Sequence, residues 1–179
     1  MSYIPEDFIL DIFLFFIPFY FLFLFNRVNS FSKAFVLQGF TKKSFKYIIK
    51  YTLVIFILLF ILSYTLSFFS VLFGVSDLQL VGQEILKYSP IAIIYLFIVR
   101  VFLEEWFFRG FLTPRLGIVF SSLLFALAHI AYGSVIQLIG AFVLGVFLAR
   151  SYQKTGNILP NVLAHSLYNF VIYILLIVL

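Results

Sequence analysis

The chain has 179 residues, of which 64% are hydrophobic, 22% aromatic and only 11% charged, with a net charge of +5, 27 Phe and no Cys. An average soluble domain carries about 25% charged and 45–50% apolar residues, so a water-soluble globule and a disordered chain are both excluded. The missing cysteine removes disulfide scaffolds, thiol nucleophiles and Cys-ligated metal sites.

What remains is an all-α, polytopic transmembrane helical bundle, a single transmembrane domain over residues 1–179. Crossing about 30 Å of hydrocarbon at 1.5 Å per residue needs roughly 20 apolar residues. Six runs come close to or meet that length: 8–25, 51–73, 90–112, 116–132, 134–150 and 158–179. Glu6 and Asp7 precede the first run and no basic residue does, so it is not read as a secretory signal. Between the first and second lie Arg27, Lys33, Lys42, Lys43, Lys46 and Lys50 with no acid. Within that stretch, segment 41–50 (TKKSFKYIIK) predicts an interfacial basic helix on anionic lipid, a solvated topology signal being the plain alternative. The loop before the third run holds Asp77, Glu84 and Lys87. Arg115 precedes the fourth run, which joins the fifth through a tight hairpin at Tyr132-Gly133-Ser134, and Arg150 and Lys154 separate the fifth from the sixth. The basic loops therefore alternate with acidic ones, which places the basic loops in the cytoplasm and both termini outside. In the fifth run, Ala141 and Gly145 suit close approach of a neighbouring helix. No repeat or second domain is visible.

The few charges inside apolar runs carry the functional signal. They are Arg100, Glu104, Glu105 and Arg109 in the third run, His129 in the fourth, and His165 with the amide Asn169 in the sixth. Asp11 lies one turn inside the first run, within reach of the interface. A charge at the bilayer centre costs about 2.5–3.5 kcal/mol on insertion scales, so such groups face the bundle interior and pair. Arg100 with Glu104, and Glu105 with Arg109, stand four apart and can pair. Glu104 and Glu105 point about 100° apart, so one acid can sit in an ion pair while the other faces a cavity. His165 and Asn169 share a face. Counted from the cytoplasmic ends at 1.5 Å per residue, Glu104 and His165 lie roughly 10–12 Å deep, Asn169 about 16 Å and His129 about 20 Å. A lone intramembrane His is as readily a helix-to-helix hydrogen bond, and Arg109 reads more simply as a snorkelling cation or a partner of Glu105. Taken together, the set predicts one convergent site.

Nucleophile motifs fail. There is no Gly-x-Ser-x-Gly elbow, no His-Glu-x-x-His, and the only Asp residues are Asp7, Asp11 and Asp77. Glu, two His and Asn suit hydrolysis of an amide by activated water: a buried carboxylate takes the proton, a His orients the water, and His and Asn donors hold the oxyanion.

These residues resemble a known family. Glu104-Glu105-Trp-Phe-Phe-Arg109 looks like the E-E-x-x-x-R motif of the CPBP intramembrane proteases, which gather CAAX prenyl endopeptidases and bacteriocin-processing or immunity (Abi-type) proteins. Phe125-Ala-Leu-Ala-His129 is similar to its F-x-x-x-H motif and His165-Ser-Leu-Tyr-Asn169 to its H-x-x-x-N motif. The resemblance covers roughly residues 90–170, the expected protease core, in a chain with fewer spans than better-described members. It implies that Glu104 is the general base with His129, that His165 and Asn169 form the oxyanion hole, and that Glu105 and Arg109 support them. The implied function is a glutamate-activated intramembrane endopeptidase, of the CAAX type that removes a C-terminal tripeptide from prenylated proteins, with an unprenylated peptide or membrane protein as the other substrate class. No cofactor is expected; the alternative is zinc on Glu104, His129 and His165. The expected partners are membrane lipid and a peptide or protein substrate, with no nucleic acid. The expected location is the plasma membrane of a prokaryote, with the site open to the cytoplasm. The rivals are a small transporter and a non-enzymatic immunity or scaffold protein.

Overall fold

Apolar continuity and serine caps set the helix boundaries. A computed structural model describes residues 8–25, 28–75 and 77–178, and among these no strand occurs. Glu6, Asp7 and Arg27 lie outside the described residues. Helix α1 spans Phe8–Leu24, and the short α2 spans Phe31–Leu37 behind an N-cap in which the Lys33 N–H donates to Ser30 Oγ at 3.4 Å. Helix α3 covers Phe45–Leu72 and begins at Ser44, whose Oγ accepts the Tyr47 N–H at 3.2 Å. The expected interfacial helix over 41–50 is therefore corrected. Residues 41–44 are not helical, and Lys46 and Lys50 ride on the first turns of a 28-residue helix. The physical reason is that no breaker stands between Lys50 and Tyr51, while Ser44 supplies a cap inside the segment.

After α4 (Leu78–Ile85), Ser89 caps the next helix through the Ala92 N–H at 3.3 Å, and Pro90 occupies its first turn, where a missing N–H costs nothing. This helix, α5, runs over residues 90–112 and is unusual. Two π-helical stretches, Leu96–Arg100 and Glu105–Leu112, flank one α turn at Val101–Glu104. Helix α6 (Thr113–Leu127) contains a sharp break at Gly117, with φ 79° and ψ 172°, a backbone region essentially reserved for glycine. Only residues 118–127 form its regular arm, about 15 Å long, so the expected crossing over 116–132 is corrected to about half a membrane thickness. A 3₁₀ turn at Ile130–Tyr132 follows, then α7 (Val135–Thr155) and α8 (Leu159–Val178).

Helices α3, α7 and α8 are each long and apolar enough to cross a membrane, with mean hydropathies of 2.4, 1.7 and 1.8. Their shared core is Ile55, Leu59, Leu148 and Ala164. Gly145 brings α7 against α6 so closely that a Cβ there would meet Ser122 and Phe125 at 3.2 Å, so the small residues serve packing within the chain. Helices α1 and α2 hold α5 through Trp106, which is fully buried with ring centroids of Phe35, Phe19 and Phe40 at 4.8, 5.2 and 5.8 Å.

The two ends of the bundle differ in charge. At one end the Ile158 N–H donates to Gly39 O at 3.0 Å, Asn157 Nδ2 to Thr41 O at 2.6 Å and Tyr47 Oη to Thr155 O at 3.0 Å. These bonds gather the segments that carry Lys42, Lys43, Lys46 and Lys154. At the opposite end, Asp77 accepts the Ser134 hydroxyl at 2.7 Å and the Val135 and Ile136 N–H groups at 2.6 and 3.3 Å. Asp77 thus caps the start of α7, where helix dipole and free N–H groups favour an anion.

Candidate active site

Gly117 makes a hairpin of α5 and the regular arm of α6, and its contacts are symmetrical about the bend. Thr113 Oγ1 lies 2.9 Å from Ser121 Oγ, four residues to either side. Eight residues to either side, the Arg109 guanidinium sits 4.0 Å from the centre of the Phe125 ring. Glu104, thirteen residues before the bend, and His129, twelve after it, both line the cavity at the far end of this hairpin. The greater depth expected for His129 is thereby resolved: both arms are measured from one turn. His129 stands just past the α-helical end, and its Nδ1–H donates to Phe125 O at 2.8 Å. A carbonyl only accepts, so the neutral ring keeps Nε2 as an acceptor.

The two adjacent acids occupy different environments, as their angular separation requires. Glu105 is fully buried. Its Oε1 accepts His165 Nδ1–H at 2.9 Å and lies 3.3 Å from Arg109 Nη1, while Oε2 accepts Asn161 Nδ2–H at 3.3 Å. Asn161 also donates to Leu148 O at 2.8 Å. Arg109 stands at ion-pair distance without hydrogen-bond alignment, both terminal nitrogens being buried without an acceptor, so its hold on Glu105 is coulombic. Glu104 instead faces a cavity, with Arg100 Nε 3.4 Å from its Oε1. Arg100 Nη1 also bonds Asp11 Oδ1, and Tyr95 Oη donates to Asp11 Oδ2 at 2.5 Å.

Asp11 is 3% exposed, because the start of α1 packs against α5 and presents the carboxylate to Arg100. Asn161 was missed altogether. It lies near the start of a helix, where polar residues are ordinary, but its position four residues before His165 is a signal that both share a face.

Glu104, His129, His165 and Asn169 all line one cavity of about 210 Å³. Its floor is the buried Glu105, Arg109 and Asn161 layer, and Arg100, Phe125 and Tyr168 contribute to its walls. From Glu104, Leu148 and His165 near mid-helix, the lining runs away from the basic loops, out to Ser67 on α3, Ile85 on α4, Ile136 on α7 and Leu176 on α8. The cavity therefore extends toward the Asp77 end. Among the described residues no three His, Asp or Glu side chains converge as metal ligands. Glu104, His129 and His165 share the cavity wall, each histidine directing its Nδ1 to a protein group.

Comparison with known proteins gives one family. Residues 86–171 match the family described as Rce1-like, type II CAAX prenyl endopeptidase Rce1-like. No curated protein and no solved structure matches the chain. The matched segment holds the whole α5–α6 hairpin, α7 and the His165-to-Asn169 turn of α8. Residues 86–171 of this helical membrane protein are therefore similar to the Rce1-like proteases of the CPBP family.

Proposed function

We propose that the chain is an intramembrane endopeptidase that hydrolyses a peptide bond with water activated by Glu104. The observation that carries this reading is the meeting of Glu104, His129, His165 and Asn169 on one cavity, with Glu105 held beneath it as a purely structural anion. Glu104 takes a proton from water while the His129 Nε2 acceptor orients it, and the hydroxide oxygen attacks the scissile carbonyl carbon. The oxyanion is met by Asn169 Nδ2–H and by His165 Nε2–H. Since His165 Nδ1–H is committed to Glu105, that role uses the imidazolium form, paired with the Glu105 carboxylate. As the C–N bond breaks, Glu104 returns its proton to the leaving amine. Within the family, the substrate favoured is a CAAX-type chain, released of its C-terminal tripeptide, whose lipid-borne end lies along the apolar walls formed by Leu66, Val81 and Ile172. The reaction draws on protein groups alone.

The test is cleavage by purified protein of a prenylated CAAX peptide and of a membrane-peptide library, with Glu104→Gln, His129→Ala and Asn169→Ala beside the unaltered chain. Activity is expected to fall at least a hundredfold in Glu104→Gln, the lower bound for a general base, and to persist in chelator. Full activity in Glu104→Gln overturns the assignment, and loss in chelator with rescue by zinc overturns the metal-free chemistry.

A further inference from the structure

We infer that Asp11 and Arg100 are a positioning couple for Glu104, so that α1, which lies outside the family-matched segment, completes the site. The inference rests on the general-base reading of Glu104. Arg100 spans two carboxylates from a single planar group: Nε faces Glu104 Oε1 at 3.4 Å and Nη1 bonds Asp11 Oδ1. The Asp11 side is the tight one. Asp11 is 3% exposed, is bonded by two donors, and reaches Arg100 across 89 residues of chain. The Glu104 side is loose, well beyond the 2.7–2.9 Å of a charge-assisted hydrogen bond.

That asymmetry has a chemical use. A guanidinium four residues from a carboxylate on one helix, in a site of low polarity, would otherwise clamp it bidentately and leave no oxygen for water. Asp11 draws the fork toward α1, and Tyr95 Oη, donating to Asp11 Oδ2 at 2.5 Å, fixes that carboxylate in turn. Glu104 keeps a cation near enough to fix its side chain and far enough to leave an oxygen open to water. The π stretch Leu96–Arg100 ends at this arginine, so the local winding of α5 sets where the fork emerges.

The experiment measures kcat and KM separately for Asp11→Asn, Arg100→Lys and the double variant Asp11→Asn/Arg100→Gln, with folding followed by the fluorescence of the single Trp106. Asp11→Asn is expected to lower kcat about tenfold or more with KM unchanged, because Arg100 closes on Glu104, a part of the 10²–10⁴ that a general base supplies. The double variant is expected to regain activity over Asp11→Asn, since no cation remains to close. A merely structural role predicts the reverse, two losses that add. Should Asp11→Asn fail to fold, Arg100→Lys decides: it keeps the charge and loses the fork, and its kcat is expected to fall at unchanged KM. A kcat within twofold of the unaltered protein in the deciding variant, or a double variant no better than Asp11→Asn, overturns the couple. If Glu104→Gln is inactive while Asp11→Asn is not impaired, this inference alone fails; full activity in Glu104→Gln removes the general base itself.

Discussion

Replacing Arg109 by Met asks whether the floor of the cavity is held by charge. Glu105 and Arg109 are 0% and 1% exposed, and their closest charged atoms are 3.3 Å apart. At an effective dielectric of about 20 that separation corresponds to about 5 kcal/mol of attraction. Removing one partner strands the other, and in a dry site the loss is about 3–5 kcal/mol. Arg109→Met leaves Glu105 with the His165 and Asn161 donors, and Glu105→Gln leaves a buried cation beside the Phe125 ring at 4.0 Å with its nearest carboxylate removed. Glu105→Gln/Arg109→Met removes both charges and leaves neither stranded, so it is expected to be more stable than either single variant. Unfolding in mixed micelles, followed by Trp106 fluorescence, gives the three values directly, because this single tryptophan is fully buried and adjacent in sequence to Glu105. Single losses below about 1 kcal/mol, or a double loss equal to their sum, would refute a pair of desolvated, mutually dependent charges.

Other consequences follow from the bend, the loops and the charge distribution. Gly117→Ala puts a Cβ on a backbone at φ 79°, ψ 172°, so it is expected to lose about 1–3 kcal/mol and to lower kcat through misregister of Glu104 and His129. An unchanged melting temperature and kcat would show that the bend tolerates a side chain. Asp77 is held below the ordinary carboxylate range, first by the Ser134 hydroxyl and then by the Val135 and Ile136 N–H groups, with burial opposing. Its folded-state value is depressed, so the stability it adds is present above pH of about 4 and fades as pH falls through that lower value. Asp77→Asn should therefore melt below the unaltered protein at pH 7 and converge with it in acid; a gap that persists at pH 2 contradicts the capping role. The chain has no Cys, so single cysteines report sidedness cleanly. By the charge rule, Lys42→Cys should be shielded from an impermeant thiol reagent in intact cells and Glu84→Cys labelled. The opposite pattern would put the cavity's extended end in the cytoplasm.

The long apolar runs were legible because hydrophobic continuity is a property of composition over about 20 residues, and helices α3, α7 and α8 follow their runs to within a few residues except where α3 begins early and α7 ends late. The separation of roles between Glu104 and Glu105 was legible too, since a 100° step on one helix follows from spacing alone. What the sequence hid depended on long-range or backbone facts. A glycine in an apolar run does not announce φ 79°, so the short arm of α6 and the true level of His129 were not visible. The pairing of Asp11 was hidden because its partner stands 89 residues away, and Asn161 looked like a helix-start residue because nothing local distinguishes a buried amide from a solvated one. Ser44 was a visible cap, yet a basic run around it suggested a separate helix.

The two π stretches of α5 turn chain length into information. A π turn holds one residue more than an α turn. Deleting a single residue within Leu96–Arg100 would let the helix relax to ordinary winding and leave its apolar character intact. It would also change the angular phase between Tyr95, which faces Asp11, and Glu104, which faces the cavity. In most transmembrane helices a one-residue change of length is absorbed by tilt or by the interface. Here it would act like a substitution of several site residues at once, so this stretch should resist insertion and deletion more strongly than it resists exchange of one apolar side chain for another.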